Sequence, residues 1–350
     1  MKKFLLVSSV FVFFANVSIA HAKKNIVVIG TGGTIAGVSK SENDAKYAPS
    51  SIGIQDVIKS VPKLSELADI EGEQLFQISS QDMNEEAWLK IARKTQELVD
   101  KREVDGVVIT HGTDTLEETA YFLNLVIKTE KPVVVVGSMR PATSTSCDGA
   151  LNLYNAVAVA ASSEAKRKGV LVVFNDNILT ARDVSKIHTT NVDAFVSNNF
   201  GPIGSVYYGK VKIYFEPLRT HTNRSVFDIS AIKSLPKVDI IYGYANPEAS
   251  IIDQLITAKT RGIVLAGVGD GNIAKESLQK LISASKAGIK VVRSSRLGSG
   301  FVMRNTEVED DEYDFITADN LNPQKARILL MLSLTKTDDS KKIQNLFWSY

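Results

Sequence analysis

Cysteine is all but missing from this chain: Cys147 is the only one in 350 residues. No intrachain disulfide can form, whatever compartment the chain occupies. A lone thiol is expected to be buried and inert rather than catalytic. Histidine is scarce as well. His21 falls in a leader-like segment, and His111, His188 and His221 lack the spacing of a metal site or of an elbow nucleophile. No metal and no cofactor is therefore expected. The chain has no Gly-x-Ser-x-Gly elbow, no internal repeat and no low-complexity segment, and beyond its first residues no apolar run long enough to span a membrane.

The start is the exception. Lys2 and Lys3 precede an almost wholly apolar stretch, residues 4–14, and Ala20-His21-Ala22 has the small-x-small form of a cleavage site. Residues 1–22 read as a secretory signal, too short for a good membrane span, with a mature start near Lys23. A retained anchor helix is the other reading. The segment holds two of the 41 Lys+Arg and none of the 39 Asp+Glu, so the remainder carries 39 of each and no net charge with His neutral. Nucleic acid or an acidic membrane surface would require a basic face, of which composition gives no sign, so neither is expected as a partner.

What remains, about 330 residues, exceeds the usual size of a single core and predicts two domains. Strand-like runs are expected at 25–29, 106–109, 133–137, 170–174, 239–242, 263–266 and 290–292. Several are continuous β-branched runs, as strands buried on both faces require. Between them lie helical patterns, with Trp88, Ile91, Ala92, Thr95 and Val99 on one face of the first and Leu116, Thr119, Ala120, Leu123 and Ile127 on one face of the second. The alternation implies an α/β fold of mostly parallel sheets flanked by helices. A larger N-terminal domain is expected over 23–216 and a smaller C-terminal domain over 237–350. The polar stretch 217–236 reads as a linker.

Polar clusters follow the strands. Gly30-Thr-Gly-Gly-Thr34 follows the first, Thr110-His-Gly-Thr-Asp114 a later one, Ser138-Met-Arg140 the next, and Asn175-Asp176 the one after. In open parallel sheets ligands bind beyond the carboxyl ends of strands, so these clusters should converge on one crevice. The first turn lacks the dinucleotide fingerprint, because position 35 is Ile rather than Gly. It reads either as a plain tight turn or as one that brings backbone amides close to an anionic atom. In the second, Asp114 or Thr113 stands where a helix cap belongs and Thr115-x-x-Glu118 has the form of a capping box. Simple capping would explain it, yet one residue cannot easily cap and present a hydroxyl, and the turn carries three threonines. His111 is the obvious base, but a packed, hydrogen-bonded histidine is the favoured reading. Without histidine, a threonine hydroxyl needs another base. Lys186, in Arg182-Asp-Val-Ser-Lys186, is placed for that role, although a solvated surface lysine is the ordinary outcome.

Taken together these motifs resemble those of bacterial type II, periplasmic L-asparaginases, over essentially the whole chain from about Asn25 to Tyr350. They are Gly30-Thr-Gly-Gly-Thr-Ile-Ala-Gly37, Ile109-Thr-His-Gly-Thr-Asp-Thr115 and Gly137-Ser-Met-Arg-Pro141. Ser79-Ser-Gln-Asp-Met83, Asn152-Leu-Tyr-Asn-Ala156, Val291-Val-Arg-Ser-Ser-Arg296 and Leu321-Asn-Pro-Gln-Lys-Ala326 extend the likeness. The resemblance implies Thr34 as the nucleophile, assisted by Tyr47 on a mobile lid over 38–51. It implies Thr113, Asp114 and Lys186 as the second catalytic group. Ser80, Gln81 and Asp114 would hold the substrate's α-carboxylate and α-amino groups, and Asn246 and Glu307 would serve a neighbouring subunit's site. The expected reaction is L-asparagine to L-aspartate and ammonia through an acyl-enzyme, in a periplasmic homotetramer. Thr31 and Thr110 are left with structural roles.

Two departures stand out. Thr129 lies where one cysteine of a disulfide found in many periplasmic members would be expected, and Ser138 stands where some relatives have alanine. Two rivals remain at this level: a glutaminase-asparaginase that also takes L-glutamine, and a non-catalytic amino-acid-binding protein.

Overall fold

The computed structural model describes residues 23–41 and 46–350. The leader-like segment 1–22 and residues 42–45 of the expected lid lie outside it. Two sheets dominate. Across the first, the strands run Lys210–Ile213, Gly204–Tyr207, Asn177–Thr180, Val170–Phe174, Val133–Val136, Gly106–Thr110, Lys24–Gly32 and Ala68–Ile78. From Val170–Phe174 to Ala68–Ile78 every pairing is parallel. At the other end the pairings turn antiparallel. The second, smaller sheet is parallel throughout, in the order Val238–Tyr242, Gly262–Gly267, Lys290–Ser295, Ile316–Thr317. The fold is thus α/β, with a larger N-terminal and a smaller C-terminal sheet domain.

Alternation along the central strands explains why both faces are covered. Val27, Ile29, Val107, Ile109, Val133 and Val135 belong to one apolar cluster, while Ile26, Val28, Val108, Val134 and Val136 belong to another. Helices Glu85–Asp100 and Leu116–Val126 pack on the first face and Gly149–Ala161 on the second. The stripe Trp88, Ile91, Ala92, Thr95 and Val99 is buried as expected, but Leu116–Val126 is buried on every side, including Glu117. Helix Pro323–Leu334 is also buried almost all round. Its residues join the first sheet's core to Val238, Val264, Val292 and Ile316 of the second, so one apolar cluster runs through both domains. Among the described residues no helix is long and apolar enough to cross a membrane.

Several elements depart from the sequence expectation. Strand Ala68–Ile78 was not foreseen. It forms one edge of the sheet, is only half-buried and carries Asp69, Glu71 and Glu73, so its composition reads as solvated chain. The stretch 217–236 contains two 3-10 turns, Thr222–Arg224 and Ile229–Ala231, and buries Phe227, Ile229, Ile232 and Leu235. In the second sheet, Arg293 is fully buried and forms a two-pronged ion pair with Asp310, at 2.6 and 2.7 Å. It also donates to the carbonyls of Asp270, Gly271 and Met303, fixing the loop that carries Glu307.

Candidate active site

The first threonine turn is built on two glycines that no other residue could replace. Gly32 and Gly33 have φ of 108° and 84°. A Cβ on Gly32 would lie 2.6 Å from the Ile78 carbonyl oxygen, and one on Gly33 would collide with the backbone of Gly112. The two threonine turns therefore meet main chain to main chain. A register shift between Gly30 and Gly32 lets the strand run on past its expected end. Thr31 Oγ1 donates to the Thr110 carbonyl at 2.7 Å and Thr110 Oγ1 to that of Ile29 at 3.3 Å, stitching neighbouring strands.

Thr34 opens the 3-10 turn Thr34–Ala36 and is buried. Its Oγ1 lies 2.9 Å from the hydroxyl of Tyr47. Tyr47 is 36% exposed, its ring resting on Gly37, and it pairs with Ser39 in a short antiparallel ladder. Ser50 anchors the return of this segment. Its Oγ accepts from Gly33 N at 2.7 Å and donates to the Ile78 carbonyl at 3.0 Å, and its own N–H donates to the Gly33 carbonyl at 3.0 Å. Nothing in the local sequence pattern signalled Ser50.

In the second turn the capping reading fails. The cap position of Leu116–Val126 is Thr115, with no side-chain cap bond; Thr115 Oγ1 donates instead to the Ser80 carbonyl at 2.7 Å. Lys186 Nζ donates to Thr113 Oγ1 at 2.8 Å and to Asp114 Oδ1 at 2.6 Å. Lys186 is not a solvated surface residue: its side chain is 16% exposed, against 57% for Asp114. It ends strand Val184–Lys186, which pairs with Phe195–Ser197. Asp183, just ahead of that strand, accepts from the backbone of Asn199 and Phe200 and from the Asn199 side chain.

His111 is fully buried, and burial pushes its pKa down to about 4, so the ring is neutral near pH 7. Nδ1 lies 2.7 Å from the Gly112 carbonyl, which can only accept, so Nδ1 carries the hydrogen. Nε2 then accepts from Thr119 Oγ1 at 2.9 Å, and that hydroxyl accepts from Trp88 Nε1 at 3.0 Å. Both ring nitrogens are committed to packing, which leaves Lys186 as the basic group in contact with the turn.

Ser80 follows the edge strand and lies over Gly112. Its Oγ accepts from Asp114 N at 3.1 Å, leaving its own hydrogen to give. Gln81 is exposed beside it. Asn246 and Glu307 are placed elsewhere. Asn246, exposed with φ 58°, borders a groove of about 730 Å³ beyond the second sheet. Glu307, also exposed, accepts from Asn272 Nδ2 at 2.8 Å, and Asn272 borders the same groove. The single chain thus gathers Thr34, Tyr47, Ser80, Thr113, Asp114 and Lys186, while Asn246 and Glu307 sit with the second sheet's loops.

Cys147 is half-buried rather than buried. Ser138 is fully buried and its Oγ donates to the Arg140 carbonyl at 2.9 Å, so its hydroxyl is engaged by its own loop. Thr129 is buried and accepts from Lys131 N at 2.9 Å. Among the described residues, no three His, Cys, Asp or Glu side chains are grouped to hold a metal ion.

Residues 25–219 match the family model described as Asparaginase, N-terminal, and residues 237–347 that described as Glutaminase/Asparaginase C-terminal domain. The chain belongs to the asparaginase family. Relatives of two names are equally near. A glutaminase-asparaginase of Pseudomonas fluorescens biotype A is 51% identical over 328 residues, 93% of this chain and 90% of that protein. L-asparaginase 2 of Escherichia coli is 48% identical over 331 residues, 95% and 94% of the two chains. A probable periplasmic L-asparaginase of Haemophilus influenzae is 48% identical, with 96% of each covered. A crystal structure of a probable cytoplasmic L-asparaginase from Campylobacter jejuni superposes with a TM-score of 0.91 at 51% identity, over 94% of this chain and all of that one. Membership in the asparaginase family makes this chain an amidohydrolase and sets aside the reading as a mere solute-capture protein.

Proposed function

We propose that the chain hydrolyses the side-chain amide of L-asparagine to L-aspartate and ammonia, with Thr34 as nucleophile. The observation that carries this is the pairing of two threonine hydroxyls, each with its own proton partner, on turns in backbone contact: Thr34 with Tyr47 and Thr113 with Lys186. Thr34 Oγ1 attacks the amide carbon as its proton passes through the Tyr47 hydroxyl to solvent. The Thr113–Lys186 pair delivers a proton to the amide nitrogen, the C–N bond breaks and ammonia leaves an aspartyl ester on Thr34. Water then attacks the ester carbon and gives its proton to the Thr113–Lys186 pair, the C–O bond to Thr34 breaks, and Oγ1 takes its proton back through the Tyr47 hydroxyl. Asp114 supplies the anion for the substrate's ammonium, and Ser80 and Gln81 supply donors for its carboxylate. Backbone amides of the glycine turn are the natural oxyanion donors, at roughly 3–4 kcal/mol each in hydrolases.

Glutaminase-asparaginase activity is the second reading, supported by a relative of that name at 51% identity, level with the 51% to a protein named L-asparaginase. One methylene in a pocket is worth about 1–3 kcal/mol, so an enzyme selective for asparagine should take glutamine with a kcat/KM roughly 10- to 200-fold lower. Steady-state ammonia release from both amides decides it, and equal efficiencies would establish the broader activity. The same rates should persist after exhaustive chelation. A loss reversed by added metal would contradict the mechanism.

The enzyme is further proposed to be exported and to act as a homotetramer in which Asn246 and Glu307 complete a neighbour's site. The basic-apolar-small pattern of residues 1–22 and the relative named periplasmic support export; the structural neighbour carries the opposite label. The exposure of Asn246 and Glu307, apart from Thr34, supports sharing. Native mass spectrometry of the enzyme from fractionated cells should give four copies starting near Lys23 in the periplasmic fraction. An active monomer, or a cytoplasmic chain starting at Met1, would overturn the respective claim.

A further inference from the structure

Behind Lys186 lies a buried polar cluster that takes no part in the chemistry described so far. Glu117 stands in the first turn of helix Leu116–Val126, just after the turn bearing Thr113 and Asp114. Its carboxylate accepts from Gln324 Nε2 at 2.8 Å and from Asn322 Nδ2 at 3.2 Å, and lies 3.6 Å from Lys325 Nζ. Glu117 and Lys325 are 5% and 1% exposed. Lys325 Nζ donates to the carbonyls of Arg182 and Val184, which belong to the approach and first residue of the strand ending in Lys186. Asn322 Nδ2 also reaches Ser185 Oγ at 3.2 Å. The start of helix Pro323–Leu334, a C-terminal element, therefore holds the Lys186 strand with one set of bonds and the Thr113–Asp114 helix with another.

A buried ion pair is a costly way to fill a core, because desolvation of both charges offsets their attraction and apolar residues of similar volume often do as well. What such a pair supplies is direction. Lys325 must point at the two carbonyls, and Glu117 at its two amide donors with the ammonium beside it, for either to be satisfied. We propose that Glu117, Asn322 and Lys325 form a positioning clamp that sets the distance from Lys186 Nζ to Thr113 and Asp114, so that the C-terminal helix governs proton transfer in the N-terminal site. The clamp rests on the reading of Lys186 and Thr113 as the proton relay. None of its members touches substrate; they act through Lys186.

The test uses the full-length enzyme and follows melting temperature, kcat and KM for asparagine. Lys325→Met strands the Glu117 carboxylate and should lower both melting temperature and kcat. The double variant Glu117→Gln/Lys325→Met removes both charges and should recover part of the melting temperature, while the strand still lacks its two bonds to Lys325. Its kcat should therefore stay about 10- to 100-fold low, the range expected when catalytic groups are displaced by about 1 Å, with KM within about twofold. Ser185→Ala, which removes only the strand's link to Asn322, should lower kcat several-fold at unchanged melting temperature. If kcat returned to the wild-type value along with stability in the double variant, and Ser185→Ala were fully active, the cluster would be structural and the clamp wrong. Lys186→Met is the control: full activity there overturns the relay beneath the proposal, whereas an inactive Lys186→Met beside a fully active double variant overturns the clamp alone.

Discussion

Replacing Thr34 with alanine should reduce kcat for asparagine by about 10⁴- to 10⁶-fold, the range for deleting a nucleophile that acts in concert with its partners. The fold should tolerate the change. The Oγ1 of Thr34 is bonded to Tyr47, which is 36% exposed and can turn to water, so no buried donor or acceptor is stranded. Melting temperature should hold to within a few degrees, which separates loss of chemistry from loss of structure. Thr34→Ser keeps the oxygen and should retain a substantial fraction of the rate. Intact mass after rapid quenching should show an aspartyl adduct on the parent enzyme and none on the alanine variant. An alanine variant with a tenth of the parent rate would sink the nucleophile assignment.

Lys186→Met comes next in size. Methionine keeps most of the apolar stem and removes the ammonium that bridges Thr113 Oγ1 and Asp114 Oδ1. General acid–base groups contribute about 10²- to 10⁴-fold, and kcat should fall within that range. Asp114 loses its partner, but it is 57% exposed, so the cost to stability should be no more than about 1 kcal/mol. KM is expected to rise only modestly, because Asp114 remains available to the substrate ammonium. If Lys186→Met kept full activity, Lys186 would lose its place in proton transfer while the assignment of Thr34 stood untouched.

Much of this arrangement was legible before the structure, for identifiable reasons. Val133–Val136 and Val170–Phe174 are buried on both faces, so their composition announces them whatever lies beside them. The threonine turns stand at strand ends, where open sheets place ligands. Ala68–Ile78 was invisible because an edge strand has one paired side and a solvated character. The second turn misled in another way. Its Ser/Thr/Asp/Glu spacing is that of a helix cap, yet Lys186 claims Thr113 and Asp114, and Ser80 claims Thr115. Those claimants arrive from distant parts of the chain, and a local pattern carries no trace of them. Glu117 and Lys325 were silent for the same reason: each reads alone as a surface charge, and only the packed helices show that they are paired.

The contact between Gly33 and Gly112 bears on how this enzyme could be altered. Main chain meets main chain there, so the spacing of the backbones that carry Thr34 and Thr113 follows from strand register. No choice of side chain can retune that half of the apparatus, and a one-residue slip in either strand would dismantle it. The adjustable half is what approaches from outside, Tyr47 on its short ladder and Lys186 on its clamped strand. Selection for a new amide or a new working pH should therefore collect substitutions around those two groups and leave the glycine turns unchanged.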